Sequence, residues 1–305
     1  MTDSATTKHL AIRAQDVMLQ FDRRGRPQSG DFLHAEIAER MRQRLKLIRI
    51  QPETVLDAGC GAGERTELLR DRFAQANIIS LDHNPRLLAA LRKSYRLEGF
   101  GRWISRWKGQ QKHRTVCADL ATTGLEPESL DMVWSNLALH WHPKPHDVIR
   151  EWGRILRPEG LAFFSCYGPA TAIELRAALR DADLDTSTMP FVDMHDFGDM
   201  LVEHGFADPV MDQETLTLTY RSADALLRDV AALGGNASSE RRRALPSRQW
   251  LEKLKRALES TADTDGRLKL TIEVSYGHAW RQAIRQQGSE TLISLNSLRR
   301  KGPQF

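Results

Sequence analysis

The stretch Val55 to Gly63, VLDAGCGAG, sets three glycines within five positions directly behind a short apolar run and an aspartate. An apolar run this short that ends in glycines reads as a buried parallel strand. The residues that follow, GERTELLRDRFAQ, switch to helical spacing, with Leu68, Leu69 and Phe73 about 3.6 residues apart and Ala76 just beyond. Strand, glycine turn and helix start in this order form the setting in which nucleotide-containing ligands bind. Glycine admits positive φ and close ligand approach, and a helix N-terminus favours an anionic group. An ordinary tight strand-to-helix turn is the alternative at this point.

A dinucleotide site needs G-x-G-x-x-G. Gly59 and Gly61 fit the first two positions, but the third falls on Glu64, with Gly63 one residue early. Asp57 lies just before the loop, where a carboxylate repels a diphosphate and suits a ligand carrying an ammonium group. S-adenosyl-L-methionine carries both an ammonium and a carboxylate. On this reading Asp57 orients the loop and the ammonium side, and the glycine backbone accommodates the methionine portion.

Further strand tips extend the pattern. NIISLD reads as a second strand ending at Asp82, placed to accept hydrogen bonds from a ribose diol, with His83 next to it. TVCADL reads as a third, with Asp119 at its tip for an adenine amino group and Leu120 as a backbone donor and apolar wall; capping of the next turn is the other reading of Asp119. SLDMVWSN is a fourth strand ending at Asn136. Ligands of open α/β sheets bind beyond the carboxyl ends of the strands, so these tips are expected to share one crevice. HDVIREWGRILRPEG reads as an amphipathic helix closed by Pro158 and Gly160, LAFFSCYG as a fifth strand, and ETLTLTY and LKLTIEVSYGHAW as a late antiparallel pair.

Composition limits the class of protein. The 305 residues suffice for one large α/β domain or two modest ones, and 41% hydrophobic with 28% charged residues is ordinary for a soluble chain. No run approaches eighteen apolar residues, and the start MTDSATTKHL lacks the plan of a signal peptide, so no membrane association and a cytoplasmic location are expected. Three scattered cysteines, without C-x-x-C or a histidine at ligand spacing, argue against disulfides and a structural metal. The net charge of +4 is concentrated in part in residues 91–114, where arginines and lysines alternate with Tyr95, Phe100, Trp103 and Trp107. Such a segment could hold nucleic acid, dock an acidic protein, or fold its aromatics back onto the core.

Taken together, VLDAGCGAG, SLDHNP, ADL, WSNLALHW and ILRPEG resemble the class I S-adenosylmethionine-dependent methyltransferases, over roughly residues 31–285. The resemblance implies an α/β, Rossmann-like sheet of seven strands, mostly parallel with an antiparallel last strand, and helical lid insertions. FDRRG, MVWSNLALHW, FSCYGPATAIELRAAL, LLRDVAALGGNAS and LTIEVSYGHAW narrow the likeness to the malonyl-acyl-carrier-protein O-methyltransferases. That family implies methylation of a malonyl carboxylate on acyl carrier protein, at the start of the pimeloyl branch of biotin synthesis.

The resemblance divides the chain into residues 1–30, folding over the cofactor; 31–168, the cofactor-binding core; 169–285, the remaining strands with a substrate lid at about 221–267; and 286–305, a flexible tail. Asp57, Gly59, Gly61, Gly63, Asp82, His83, Asp119, Leu120 and Asn136 are the expected cofactor contacts. Candidates on the acceptor side are His140 and Trp141, with Arg23, Arg24 and Arg228 as partners for the malonyl carboxylate, although surface exposure is the commoner fate of an arginine and solvation that of a loop histidine. The family's aromatic residue after FDRR is missing, with Pro27 and Gln28 near that place; Phe21 and Phe32 are possible substitutes. A monomer is expected.

Two other functions compete. The insert and ending also resemble a respiratory complex I assembly factor of the same fold, associated with arginine hydroxylation of a partner subunit. A nucleic-acid methyltransferase would use the basic segment, but N-P-P-Y and D-P-P-Y are absent.

Overall fold

A computed structural model describes residues 9–24, 31–101, 113–184, 186–243 and 246–283. In chain order the elements are α1 (Ala14–Arg24), α2 (Asp31–Leu45), β1 (Thr54–Ala58), α3 (Thr66–Arg72), β2 (Asn77–Asp82), α4 (Pro85–Gly101), β3 (His113–Cys117), β4 (Leu130–Asn136), α5 (Pro145–Ile155), β5 (Leu156–Tyr167), α6 (Ile173–Asp181), α7 (Met194–Glu203), β6 (Phe206–Tyr220), α8 (Ala223–Ala232), α9 (Arg248–Glu259) and β7 (Leu268–Arg281). The strands form one seven-stranded sheet in the order β3-β2-β1-β4-β5-β7-β6. β1 to β5 pair in parallel, and β7 runs antiparallel to both β5 and β6. The doubly wound α/β fold expected from the sequence is the fold observed.

The strand sequences explain the layers. β1, β2 and β4 are short and almost wholly buried, as parallel strands covered on both faces must be. Leu56, Val133 and Phe164 face one layer, where Trp152 of α5 and Phe197 of α7 pack. Val55, Met132 and Phe163 face the other, with Ile37 and Met41 of α2 and Leu254 of α9. Each large side chain so enclosed contributes about 1.5–3 kcal/mol of apolar burial. β6, at the edge, instead alternates half-buried and exposed positions.

Two local readings change. Pro158 and Gly160 do not close α5, which gives way to β5 at Leu156; the segment between is taken up as an irregularity, with Leu130 opposite Leu156 and Met132 already opposite Leu161. A Cβ on Gly160 would stand 2.9 Å from the Arg157 carbonyl oxygen, so the bend requires glycine there. β3 ends at Cys117, and Asp119 lies beyond it in a bridge with Thr122.

Tyr220 and Leu268 are paired, and β6 points the same way as β5, so residues 221–267 leave and rejoin the sheet at its carboxyl edge. Ser222 and Ser247 cap α8 and α9 by accepting hydrogen bonds from the backbone N–H groups of Ala225 and Trp250. The amino-terminal segment is strapped to this insertion and to the loop after β4: Ser239 N–H donates to Ala11 O at 2.7 Å, and Leu10 N–H to Pro143 O at 2.8 Å. Among the described residues no helix is long and apolar enough to cross a membrane. Trp103, Trp107 and the proposed tail lie outside the described residues.

Candidate active site

One cleft opens at the carboxyl edge. Asp57, Gly59, Gly61, Asp82, His83, Asp119, Leu120, Asn136 and Trp141 all line it. Parallel register explains the convergence, since Asp57 lies beside Ser80 and Trp134 while Asp82 lies beside Cys117.

Asp57 is buried, and its Oδ2 accepts a 2.6 Å hydrogen bond from the Thr66 hydroxyl at the start of α3. Burial pushes its carboxyl up to about 7 against that hydrogen bond, and the neighbouring Asp82 and Glu64 carboxylates push in the same direction as burial. Such a group gains from a cation placed beside it.

Asp82 organises the loop. Its Oδ2 accepts from Gly61 N–H at 2.9 Å and its Oδ1 from Asn84 N–H at 2.8 Å. Gly59 and Cys60 N–H both donate to the Leu81 carbonyl, so the glycine loop is tied to β2. The three glycines differ in role. A Cβ on Gly59 would fall 2.2 Å from the Ala138 Cβ, and one on Gly63 2.1 Å from Leu91 Cδ1. Gly63 is not among the residues of the cleft wall and packs the loop on α4. Gly61 alone of the three has open space where its Cβ would be, the nearest atom being Glu64 Oε2 at 3.9 Å.

Asp119 caps the turn, as the other sequence reading has it, by accepting from Ala121 N–H at 2.7 Å, and it also lines the cleft. The hydrogen bond from His142 Nε2 at 3.2 Å holds its carboxyl below the usual range, against partial burial. Asn136 is held at both ends, its Nδ2 donating to His34 O at 3.2 Å and its Oδ1 accepting from Ser165 Oγ at 3.0 Å. Leu137 follows at φ +53, a strained conformation for a branched residue, on the cleft wall.

The acceptor candidates separate. Trp141 forms part of the wall, edge-on to Phe21 of α1 at 5.2 Å, and Gly234 of the insertion lies against its ring. Phe21 thus stands in the cleft, whereas Phe32 is half exposed and absent from its wall. His140 is not the solvated loop histidine expected from its position. It is fully buried behind the wall against Tyr167 and Phe191, Nδ1 accepting from Tyr167 N–H at 3.4 Å. Burial, with a smaller push from His34, lowers it to about 3, so the ring is neutral. Arg228 is exposed on α8 and lines no part of the cleft. Arg23 and Arg24 end α1, and their side chains lie outside the described residues.

Sequence reasoning missed His34, Arg65 and His142, all on the wall, and Asp22. Asp22 accepts from Asn84 Nδ2 and Arg86 Nη1, both at 3.0 Å, and so pins the roof helix α1 to the start of α4. The acid within FDRR was the available signal.

A family profile described as a methyltransferase domain matches residues 56–164, the stretch that carries the strand tips. Malonyl-[acyl-carrier protein] O-methyltransferase of Laribacter hongkongensis is 42% identical over 287 residues, covering 93% of both chains. The protein of that name from Methylovorus is 40% identical, covering 88% of this chain and 89% of its own. The chain belongs to the malonyl-[acyl-carrier protein] O-methyltransferase family. The crystal structure of the YcgJ protein from Bacillus subtilis shares the fold, with a TM-score of 0.57 at 12% identity over 82% of this chain and 99% of its own.

A methyltransferase needs a methyl donor, and the cleft fits S-adenosylmethionine on its own chemistry. Gly61 leaves a bare backbone facing the space, Asp57 is a buried carboxyl suited to a cation, and His83 Nε2 is a buried nitrogen without a hydrogen-bond partner.

Proposed function

We propose that this enzyme transfers the methyl group of S-adenosylmethionine to the free carboxylate of malonyl-acyl carrier protein, masking that charge for chain elongation in biotin synthesis. The observation that carries the reading is the extent of the likeness. The methyltransferase-domain profile stops at residue 164, but the relatives match over 93% and 88% of the chain, a length that cannot be reached without the acceptor half.

S-adenosylmethionine supplies a methyl group on a cationic sulfur, which keeps the C–S electron pair as a carboxylate oxygen takes the methyl carbon. The chain needs no general base, because a carboxylate is already ionised at neutral pH and no proton moves. Its task is alignment and exclusion of water. Asp82 and Asp119 hold the nucleoside side, Asp57 and the Gly61 backbone the methionine side, and Phe21 and Trp141 close the wall over the reacting atoms. Neutral His140 supports Trp141 from behind. Arg23 and Arg24, at the end of the roof helix, are the proposed partners of the malonyl carboxylate. The enzyme acts as a cytoplasmic monomer on this reading.

The test is transfer of labelled methyl from S-adenosylmethionine to purified malonyl-acyl carrier protein. Label should appear on that substrate and be lost when the malonyl carboxylate is esterified beforehand. Transfer to the pre-esterified substrate, or to RNA in its place, refutes the reading.

A further inference from the structure

Away from the cleft, two helices bring together three metal-ligating side chains. His146 is the second residue of α5, Glu203 is the last residue of α7, and His204 follows it as the C-cap. One ligand atom from each lies within 4.8 Å of the others. His146 Nδ1 stands 3.6 Å from Glu203 Oε2, and the two imidazoles meet edge to face with centroids 5.8 Å apart.

The approach is built into the fold. Gly153 lies seven residues after His146, two turns along the same face of α5, and a Cβ there would come within 3.0 Å of the His204 carbonyl oxygen. A glycine at this point lets the end of α7 sit directly on α5. His204 Nε2 is buried and makes no hydrogen bond, an arrangement that is costly for a polar nitrogen unless a partner arrives. The charged groups nearest His204 are Glu203, Asp147, Arg150 and His146, so two carboxylates stand by to offset the charge of an incoming cation.

We propose that His146, Glu203 and His204 form a binding site for a divalent transition metal of the zinc class, clipping α7 to α5. Two imidazoles and one carboxylate make a nitrogen-rich donor set of intermediate softness, which suits zinc and disfavours magnesium and calcium. Three protein ligands leave a fourth position to water. Tetrahedral bonds of about 2.0–2.2 Å set ligand atoms about 3.4 Å apart; His146 and Glu203 at 3.6 Å already have that spacing, and His204 completes the set by a small turn of its ring. The site has no part in methyl transfer, and its effect is to lock two helices that pack under the sheet.

Zinc chloride titrated into the full-length, chelator-treated protein should bind in a saturable one-to-one manner by calorimetry and raise the melting temperature. Cobalt(II) in its place should give the visible absorption of a four-coordinate site. In the double variant His146→Gln, His204→Gln both signals should disappear, with circular dichroism and S-adenosylmethionine affinity preserved. Loss of an outer-shell partner alone weakens metal sites by about 10–100-fold, so loss of two ligands should weaken zinc binding by at least that much. The single variant Glu203→Gln, at an exposed position, should show an intermediate loss. Absence of binding to the wild-type chain, or equal affinity in the double variant, overturns the proposal.

Discussion

Replacing Asp57 by Asn tests whether the cleft holds a carboxyl that burial keeps protonated. Asn keeps the shape and can still accept the Thr66 hydroxyl hydrogen bond, but it does not titrate. The folded chain holds the Asp57 proton up to about pH 7, whereas an ordinary aspartate carboxyl releases it at 3.8. Between roughly pH 4 and 7 the native state therefore keeps a proton that the unfolded state has released. Stability from this group falls as pH rises through that window, and the loss is complete above it. The interval corresponds to on the order of 4 kcal/mol. Urea unfolding of wild type and variant across pH 4 to 8 should show the variant gaining relative stability by a few kcal/mol, with the gain levelling off near pH 7. His113 and His140, lowered by burial to about 4 and 3, act with the opposite sign, and their effects cancel in the difference. Binding of S-adenosylmethionine at pH 6 should release a proton from the wild type, read as a dependence of calorimetric heat on buffer, and none from the variant. A stability difference that stays flat from pH 4 to 8 would refute the reasoning, because Asp57 would then be ionised normally in the fold.

Gly59→Ala should destabilise the fold by about 1–3 kcal/mol from overpacking against Ala138 on top of its positive φ, measured by denaturant unfolding, and Gly61→Val, strained at φ +57 and filling the open space beside the loop, should abolish cofactor binding. Asp82→Ala should weaken S-adenosylmethionine binding by tenfold or more in calorimetry, since it removes the proposed ribose acceptor and also frees the Gly61 and Asn84 amides; unchanged affinity in a folded variant would remove Asp82 from the site. Gly234→Ala would put a Cβ 2.4 Å from the Trp141 ring at φ +121, so steady-state assays should show slower methyl transfer with cofactor affinity largely kept.

The order of strands and helices along the chain, and the polar residue at each strand tip, are legible in the sequence because they depend on short-range rules. Strands β1, β2 and β4 carry Asp57, Asp82 and Asn136 at their carboxyl ends, Asp119 lies two residues past the end of β3, and parallel pairing leaves these residues only one edge on which to meet. The roles of the three glycines are not legible, because Gly59, Gly61 and Gly63 look alike in a local motif and differ only in what stands opposite: Ala138, open space, or Leu91. His140 and Trp141 are adjacent in sequence, yet one is buried behind the wall and the other forms it. That division depends on Phe21, Tyr167 and Gly234 arriving from distant parts of the chain. The cluster of His146 with Glu203 and His204 has no signature at ligand spacing, since it exists only where α7 ends against α5. Periodicity and turn chemistry act between near neighbours and so determine the elements and the edge that carries the site. Burial, charge and close approach act between residues remote in sequence, and only the folded chain decides which side chain at that edge faces ligand and which faces protein.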